Sequence, residues 1–211
     1  MTEETESVPR AEDRRKKRTR RYLLEAALAV LQQKGYDDMM TDEITEYADI
    51  GRRTFYNHFI NKRECVIEAL TGQFVRYAEQ VAATMPEVGP GRDEARVLAA
   101  MASRVFLAIA EDPLTARLVH HPKILSEAIE ESQRDYITTN LILGLESNRL
   151  HPVFPLESLA PILTWGFVGL VIAAIERGTQ EADSLVWARF VLYNFGLGEM
   201  EIADLTRELE P

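Results

Sequence analysis

The stretch from Arg52 to Asn61 is rich in side chains that bind polyanions and contains no carboxylate, although the chain has 34 Asp and Glu residues. At about 100° per residue, Phe55 and Phe59 fall on one side of a helix, which predicts that they are buried. The opposite side presents a carboxamide, a guanidinium, a hydroxyl and a phenol, from Asn57, Arg53, Thr54 and Tyr56. Arg52 and His58 lie on its flanks. Such groups contact base edges and phosphates in the major groove of DNA, so this face predicts DNA binding.

The distribution of charge along the chain agrees with the prediction of DNA binding, although the net charge of the whole chain does not. The 211 residues carry a formal net charge of −10, which taken alone argues against a nucleic-acid partner. Residues 10–63, however, hold 13 Lys and Arg against 9 Asp and Glu, whereas residues 64–211 hold 11 against 22. A basic contact module joined to an acidic body is the expected arrangement.

The elements that position this face are helices. Period-two alternation is absent, and Gly and Pro stand at the ends of segments with helical periodicity, so the sequence predicts an all-α fold. We expect helices at about 19–34, from Thr41, at 52–59 and from about 62 to 84, followed by a linker at 85–91. Two short helices joined by the turn 48–51 form a helix-turn-helix pattern. Further helices are predicted at about 93–111, 114–120, 122–148, 157–177 and 183–197, and then an acidic tail.

The same residues resemble the signature of TetR-type transcriptional repressors. The resemblance covers about a quarter of the chain and rests on three segments: Thr41-Asp42-Glu43-Ile44, Thr54-Phe55-Tyr56-Asn57-His58-Phe59 and Asn61-Lys62-Arg63. It implies a three-helix DNA-binding domain joined through a long fourth helix to a C-terminal helical domain for ligand binding and dimerisation. The expected boundaries are a flexible basic arm at 1–17, the helix-turn-helix domain at 18–64 and the effector domain at 65–211.

The resemblance also implies roles for single residues. Arg52, Arg53, Thr54, Tyr56 and Asn57 would face the major groove. The sugar-phosphate backbone would be contacted by Thr41, Tyr56, His58 and Lys62. Two simpler interpretations stay open: His58 packs at the end of its helix, and Thr41 only caps the helix that it begins.

This chain departs from the family pattern in its turn. Asp49 stands where the family usually has Gly, and Asp tolerates the left-handed conformation better than most residues. Gly51 replaces the customary cap Ser and is a weaker cap. The basic run Arg14–Arg18, with Arg20 and Arg21, is interpreted either as a solvated tail or as an arm that contacts phosphates.

The segment 159–175 is apolar except for Thr164, which places it at the lower edge of membrane-spanning length. Its Pro and Gly residues and its acidic flanks favour a buried or interface helix, and no membrane association is expected. Gly166, Gly169 and Ala173 permit close helix approach. We expect a homodimer through helices 157–177 and 183–197, which would let two recognition helices read a palindrome; an intramolecular core is the alternative.

The resemblance implies a cavity for a small molecule in the C-terminal domain. The candidate ligand-binding residues are Phe106, His121, Tyr136, Asn140 and Trp165, and each also suits a plain core position. Neither a cofactor nor a metal is expected, because the adjacent pair His120-His121 points in two directions and lacks a third ligand. The single cysteine, Cys65, excludes an internal disulfide and is expected to pack as a small apolar group.

The sequence shows no phosphate-binding Gly loop, nucleophile elbow or zinc-binding His pair of the kinds that enzymes use, so an enzyme is not expected. The predicted function is that of a cytoplasmic, sequence-specific transcriptional regulator, a repressor released from a palindromic operator by an apolar or amphipathic ligand. The alternative is an acidic helical interaction module that does not bind DNA.

Overall fold

The structure is a computed structural model that describes residues 11–85, 93–133 and 136–210. All regular secondary structure in these residues is helical, as predicted. The contacts divide the chain between Ala69 and Leu70 into two compact units. This division and the predicted one after residue 64 fall within the same helix.

The first unit contains α1 (Ala11–Lys34), α2 (Thr41–Tyr47), α3 (Arg52–Tyr56) and the beginning of α4 (Lys62–Ala82). Gly35 ends α1 with φ +79°, a left-handed conformation that favours glycine. The core of this unit is made of apolar side chains with less than 3% exposure, among them Leu23, Leu31, Met39, Ile44, Phe55, Phe59 and Cys65. Burial of these side chains supplies most of the stability of the unit, because none of its short helices is stable alone.

The turn between α2 and α3 has the conformation that the sequence predicted. Asp49 has φ +52°, in the left-handed region, and the N–H of Ile50 donates to the carbonyl oxygen of Thr45 at 2.9 Å. Gly51 is the N-cap of α3 and provides no side-chain hydrogen bond. The turn therefore forms without the usual Gly and Ser, at the cost of an unfavourable φ and a weak cap.

The second unit contains the rest of α4 and seven further helices in the described residues. They are α5 (Glu94–Glu111), α6 (Pro113–Ala116), α7 (Pro122–Gln133), α8 (Tyr136–Glu146), α9 (Leu156–Arg177), α10 (Gln180–Asn194) and α11 (Glu199–Arg207). Helices α5, α9 and α10 pack against one another. At their centre the rings of Phe106, Phe167 and Trp187 form edge-to-face pairs, with centroids 5.4 and 5.3 Å apart.

The structure differs from the sequence prediction at the two ends of the described chain. The chain is helical from Ala11, so Arg14–Lys17 extend α1 and do not form the flexible arm that was expected; residues 1–10 lie outside the described part. Residues 11–18 contain no helix breaker, which explains the extension. The predicted acidic tail contains α11, whose Ile202 and Leu205 are buried one turn apart.

The predicted helix 122–148 corresponds to α7 and α8, and residues 134–135 between them lie outside the described part. Helix α8 ends before Asn148, which has φ +56°. The linker predicted at 85–91 lies outside the described residues except for Met85.

Candidate nucleic-acid interface

Helix α3 buries the side that the angular analysis predicted. Phe55 and Phe59 are 0% and 2% exposed, and their ring centroids are 5.6 Å apart. The exposed side chains are those of Arg52, Arg53, Tyr56 and Asn57, and Thr54 is half-buried. The exposed side of α3 therefore carries cationic and hydrogen-bonding groups and no carboxylate of its own.

Helix α3 is shorter than predicted: it ends at Tyr56 and not at Phe59. Asn57 is its C-cap with φ −75° and ψ −15°, and its N–H still donates to the carbonyl oxygen of Arg53 at 3.2 Å. The side chain of Asn57 therefore keeps a helical direction and lies beside that of Arg53.

The two arginines of α3 differ in their surroundings. Arg52 donates from Nη1 to the carboxylate of Asp42 at 3.2 Å, with both side chains more than 60% exposed. A hydrogen bond with Tyr56, and then the charge of Asp42, raise the pKa of Arg52. Arg53 forms no ion pair or hydrogen bond with any described side chain. Of the two guanidinium groups, that of Arg53 is the more available to a base edge.

Lys62, predicted to contact phosphate, has local partners at the start of α4. Its Nζ donates to the carbonyl oxygens of Tyr36 and Met39, at 2.9 and 2.8 Å, and lies 4.7 Å from the centroid of the Tyr36 ring. The ammonium group satisfies two carbonyls of the loop between α1 and α2. Sequence reasoning missed this role because the contacts span more than 20 positions.

Thr41 does not cap α2, which corrects one of the two interpretations given to it. Met40 occupies the N-cap position, and Thr41 is the first helical residue, half-buried. The carboxylate of Glu43 accepts the N–H of Met40 at 2.8 Å and pairs with Lys34. The hydrogen bond from Lys34 lowers the pKa of Glu43.

His58 is half-buried and borders a cationic cavity of about 350 Å³ in the first unit. The other lining residues are Asp13, Lys16, Lys17 and Arg20, all on α1. Its Nδ1 is buried without a hydrogen-bond partner in the part of the chain that the structure describes. Burial, and then the charges of Arg20 and Lys16, lower the pKa of His58. An anion in this cavity would meet two exposed ammonium groups.

Arg20 connects three elements of the first unit. Its Nε and Nη2 donate to the carboxylate of Glu68 on α4, and its Nη1 donates to the carbonyl oxygen of His58 at 2.7 Å. The guanidinium carbon lies 4.2 Å from the centroid of the Phe59 ring. The sequence placed Arg20 in a basic run with neighbours that remain exposed, and no local pattern distinguishes it from them.

Of the predicted ligand-binding residues, Phe106, His121 and Trp165 have described side chains, and none of these three lines the cavity of the second unit. Phe106 is fully buried, whereas Trp165 on α9 is 52% exposed. His121 is half-buried before α7, and the side chains of Tyr136 and Asn140 lie outside the described part. A cavity of about 390 Å³ in the second unit is lined by residues of α10 and α11, none of which was predicted to bind the ligand: Arg189, Phe190, Tyr193, Glu199, Ile202 and Ala203.

Helices α9 and α10 expose an apolar surface. Helix α9 is long and apolar enough to cross a membrane, and about a third of its most apolar stretch is buried. Beyond the first turn of α9, the exposed large apolar residues on the two helices are Ile162, Trp165, Val186, Phe190 and Tyr193. We call these five residues the α9/α10 face. Leu197, which follows α10, is buried and does not contribute to this face.

Cys65 is fully buried in the first unit, and burial raises the pKa of its thiol to about 12. The thiol is therefore protonated at neutral pH and packs as a small apolar group, as predicted. Among the described residues, no group of three His, Cys, Asp or Glu side chains is placed to hold a metal ion.

Comparisons with known proteins agree with this geometry. A family model for bacterial regulatory proteins of the tetR family matches residues 23–69, the range that contains α2 and α3. The HTH-type transcriptional repressor KstR of Rhodococcus jostii (strain RHA1) is 24% identical over 170 residues, which span 79% of this chain and 77% of that protein.

Two solved structures share the fold over most of the chain. RolR in complex with resorcinol superposes with a TM-score of 0.68 at 21% identity, covering 94% of this chain and 98% of that one. The fatty acid degradation regulator FadR from Bacillus halodurans gives 0.58 at 16% identity, with 82% and 94% covered. The family model over residues 23–69 makes the helix-turn-helix region similar to that of tetR-family regulators, and these solved structures show that the chain shares their all-helical fold.

Proposed function

We propose that this regulator represses transcription by binding a palindromic operator as a homodimer, and that a small apolar or amphipathic molecule releases it. Regulators of this family bind operator DNA and small molecules and form dimers. The observation that carries the proposal is the exposed side of α3, on which the unpaired guanidinium of Arg53 lies beside Asn57 and no carboxylate follows before Glu64. Such a surface suits a polyanion, because each Asp or Glu would repel phosphate.

Contacts to bases and contacts to phosphates are assigned to different residues. Arg53 and Asn57, with Thr54 and Tyr56, read base edges in the major groove. Arg52 lies at the edge of this surface, where it is paired with Asp42. The exposed ammonium groups of Lys16 and Lys17 bind the backbone with His58, and Thr41 donates to a phosphate from the first turn of α2. Lys62 contributes chiefly by fixing the loop before α2.

The α9/α10 face supports dimerisation. A single recognition helix makes few base contacts, and a two-fold dimer doubles them on a palindrome. Gly169 lies on the exposed side of α9, and a Cβ there would meet no atom within 4 Å in the single chain. A leucine at this position therefore leaves the protomer intact and obstructs only a partner, so Gly169→Leu should produce monomers. A partner subunit that covers α9 would also explain why this helix is long and apolar in a protein that we propose to be cytoplasmic and not bound to a membrane.

The second unit supports a ligand-binding role. RolR was solved with a small phenolic ligand, and the fold is shared. Phe106 and His121 remain candidates for the ligand site with Tyr136 and Asn140, whereas the exposure of Trp165 favours the dimer interface. Tyr77 on α4 donates to the buried carboxylate of Asp112 at 2.9 Å, between α5 and α6. A ligand that displaces α6 would pull on α4, and it acts only through its different affinities for the two arrangements.

The test is selection of bound duplexes from a random pool, followed by titration of the enriched duplex at several salt concentrations. We expect a symmetric consensus and an affinity that falls steeply with salt. The Arg53→Ala/Asn57→Ala double variant is the control and should lose the preference but keep salt-dependent binding. The absence of any enriched duplex would refute the proposal and favour an acidic interaction module.

A further inference from the structure

Arg20 differs from the exposed basic residues Arg14–Arg18 that precede it, because its guanidinium is already engaged by partners in the first unit. Arg14 to Arg18 are exposed, whereas the side chain of Arg20 is 34% exposed and pairs with Glu68. Each of its three nitrogen atoms donates a hydrogen bond to the protein, two to the Glu68 carboxylate and one to the His58 carbonyl. One side of the guanidinium plane lies over Phe59.

We propose that Arg20 is a positioning residue that fixes the C-terminal end of the recognition helix to α4, so that operator recognition depends on Arg20 without a contact between Arg20 and DNA. This inference rests on the proposed function. It assigns Arg20 a role within the protein, whereas the exposed basic residues beside it are proposed to bind phosphates.

The recognition helix is short and weakly capped, so a directional contact beyond its C-terminal end would help to fix its position. Helix α3 has only 5 residues, and its N-cap Gly51 provides no side-chain hydrogen bond. Phe55 and Phe59 anchor its buried side by apolar contacts, which are not directional. The bond from Arg20 to the His58 carbonyl is directional and charge-assisted, at the helix end where a cation is most favourable.

A direct contact with phosphate is disfavoured by the same geometry. A phosphate that approached Arg20 would also approach the carboxylate of Glu68, which would repel it. The guanidinium would have to give up at least one of its donors to the protein. The exposed Lys16 and Lys17 offer ammonium groups nearby at no such cost.

The link extends beyond α3, because Glu68 lies on α4 and α4 continues to Ala82 in the second unit. A displacement of α4 changes the position of Glu68, and Arg20 carries that change to the carbonyl at the end of α3.

The experiment compares Arg20→Gln, Glu68→Gln and the double variant with Lys17→Gln as the matched control. Each is titrated with the selected operator and a scrambled duplex from about 50 to 300 mM salt, at a temperature well below its midpoint of thermal unfolding.

We expect Arg20→Gln to weaken operator binding about 10-fold and to affect the scrambled duplex less. The slope of log affinity against log salt concentration should stay unchanged. Glu68→Gln should weaken operator binding to a similar extent although it removes a negative charge, and the double variant should be no worse than either. Lys17→Gln should weaken both duplexes equally and reduce the slope by about one.

Three results would overturn the inference. A salt slope reduced by about one in Arg20→Gln, with unchanged or tighter binding by Glu68→Gln, would make Arg20 a phosphate contact. A lowered melting temperature with unchanged affinity and discrimination would make its role purely structural. If Arg20→Gln does not fold, Arg20→Lys replaces it. This variant keeps the positive charge but cannot form the two parallel hydrogen bonds of a guanidinium. Full operator affinity of Arg20→Lys would also contradict the inference. Failure of the unaltered protein to bind any duplex would count against the proposed function and not against this link.

Discussion

The exposed face of α3 and the α9/α10 face are built from opposite chemistry. The first presents a guanidinium, a carboxamide and a phenol on a helix of 5 residues, and the second presents five large apolar side chains on helices of 22 and 15 residues. DNA binding through the first would be electrostatic and would weaken with salt, whereas association through the second would bury apolar area and persist in salt. Salt concentration should therefore separate the two functions of one molecule.

The two faces are also supported differently. Polar side chains act over long sequence separations in the first unit, where Arg20 binds the His58 carbonyl after α3 and Lys62 binds the loop before α2. Aromatic packing supports the other face, where the ring of Phe190 stacks on that of Trp187 at 5.6 Å and Trp187 meets Phe167. Substitutions in the first unit should act through single hydrogen bonds, and those on the α9/α10 face through buried area.

The largest effect is expected from Trp165→Glu on the α9/α10 face. Trp165 is 52% exposed in the single chain, so the protomer should fold, but a carboxylate would be buried in the dimer without a partner. We expect monomers by sedimentation and operator affinity lower by at least about 100-fold, because one half-site is lost. Tyr193→Phe on the same face is the control and should remain dimeric. Dimers of Trp165→Glu at the same concentration would place the interface elsewhere.

The next effect separates the two arginines of α3. Arg53→Ala should cost about 1–3 kcal/mol of operator binding and relax the preference at one position of each half-site. Arg52→Ala should cost less, because its guanidinium is already paired with Asp42. Competition between single-base variants of the operator measures both. Unchanged selectivity of Arg53→Ala would show that the assignment of the reading face is wrong.

The sequence was most informative where local rules determine structure. The burial of Phe55 and Phe59 followed from helical angles, and the left-handed Asp49 followed from the length and residues of the turn. The partners of Arg20 and Lys62 could not be predicted, because they lie 48 and 26 positions away and depend on how helices pack. The ligand site was least predictable, since an aromatic residue on a helix suits a core and a cavity equally.

Lys62→Met tests whether this lysine supports the fold or binds DNA. Two backbone carbonyls would lose a charged donor, and we expect the free energy of unfolding to fall by about 1–2 kcal/mol. Chemical denaturation measures this, with Lys17→Met as an exposed control that should leave stability unchanged. Full stability combined with a smaller salt slope for DNA would instead make Lys62 a phosphate contact.

The smallest effect compares one left-handed residue in each unit. Asp49 has φ +52° and Asn148 has φ +56°, and Gly adopts this region without steric cost. Asp49→Gly should stabilise the protein by about 0.5–1 kcal/mol, and Asn148→Gly by less, because Asn tolerates this region well. Only Asp49→Gly also removes a negative charge beside the recognition helix, so it alone should tighten binding to every duplex, most strongly at low salt. If Asn148→Gly increased the affinity for DNA equally, the cause would be the relief of backbone strain and not the loss of a charge. That result would remove the electrostatic distinction between the two units.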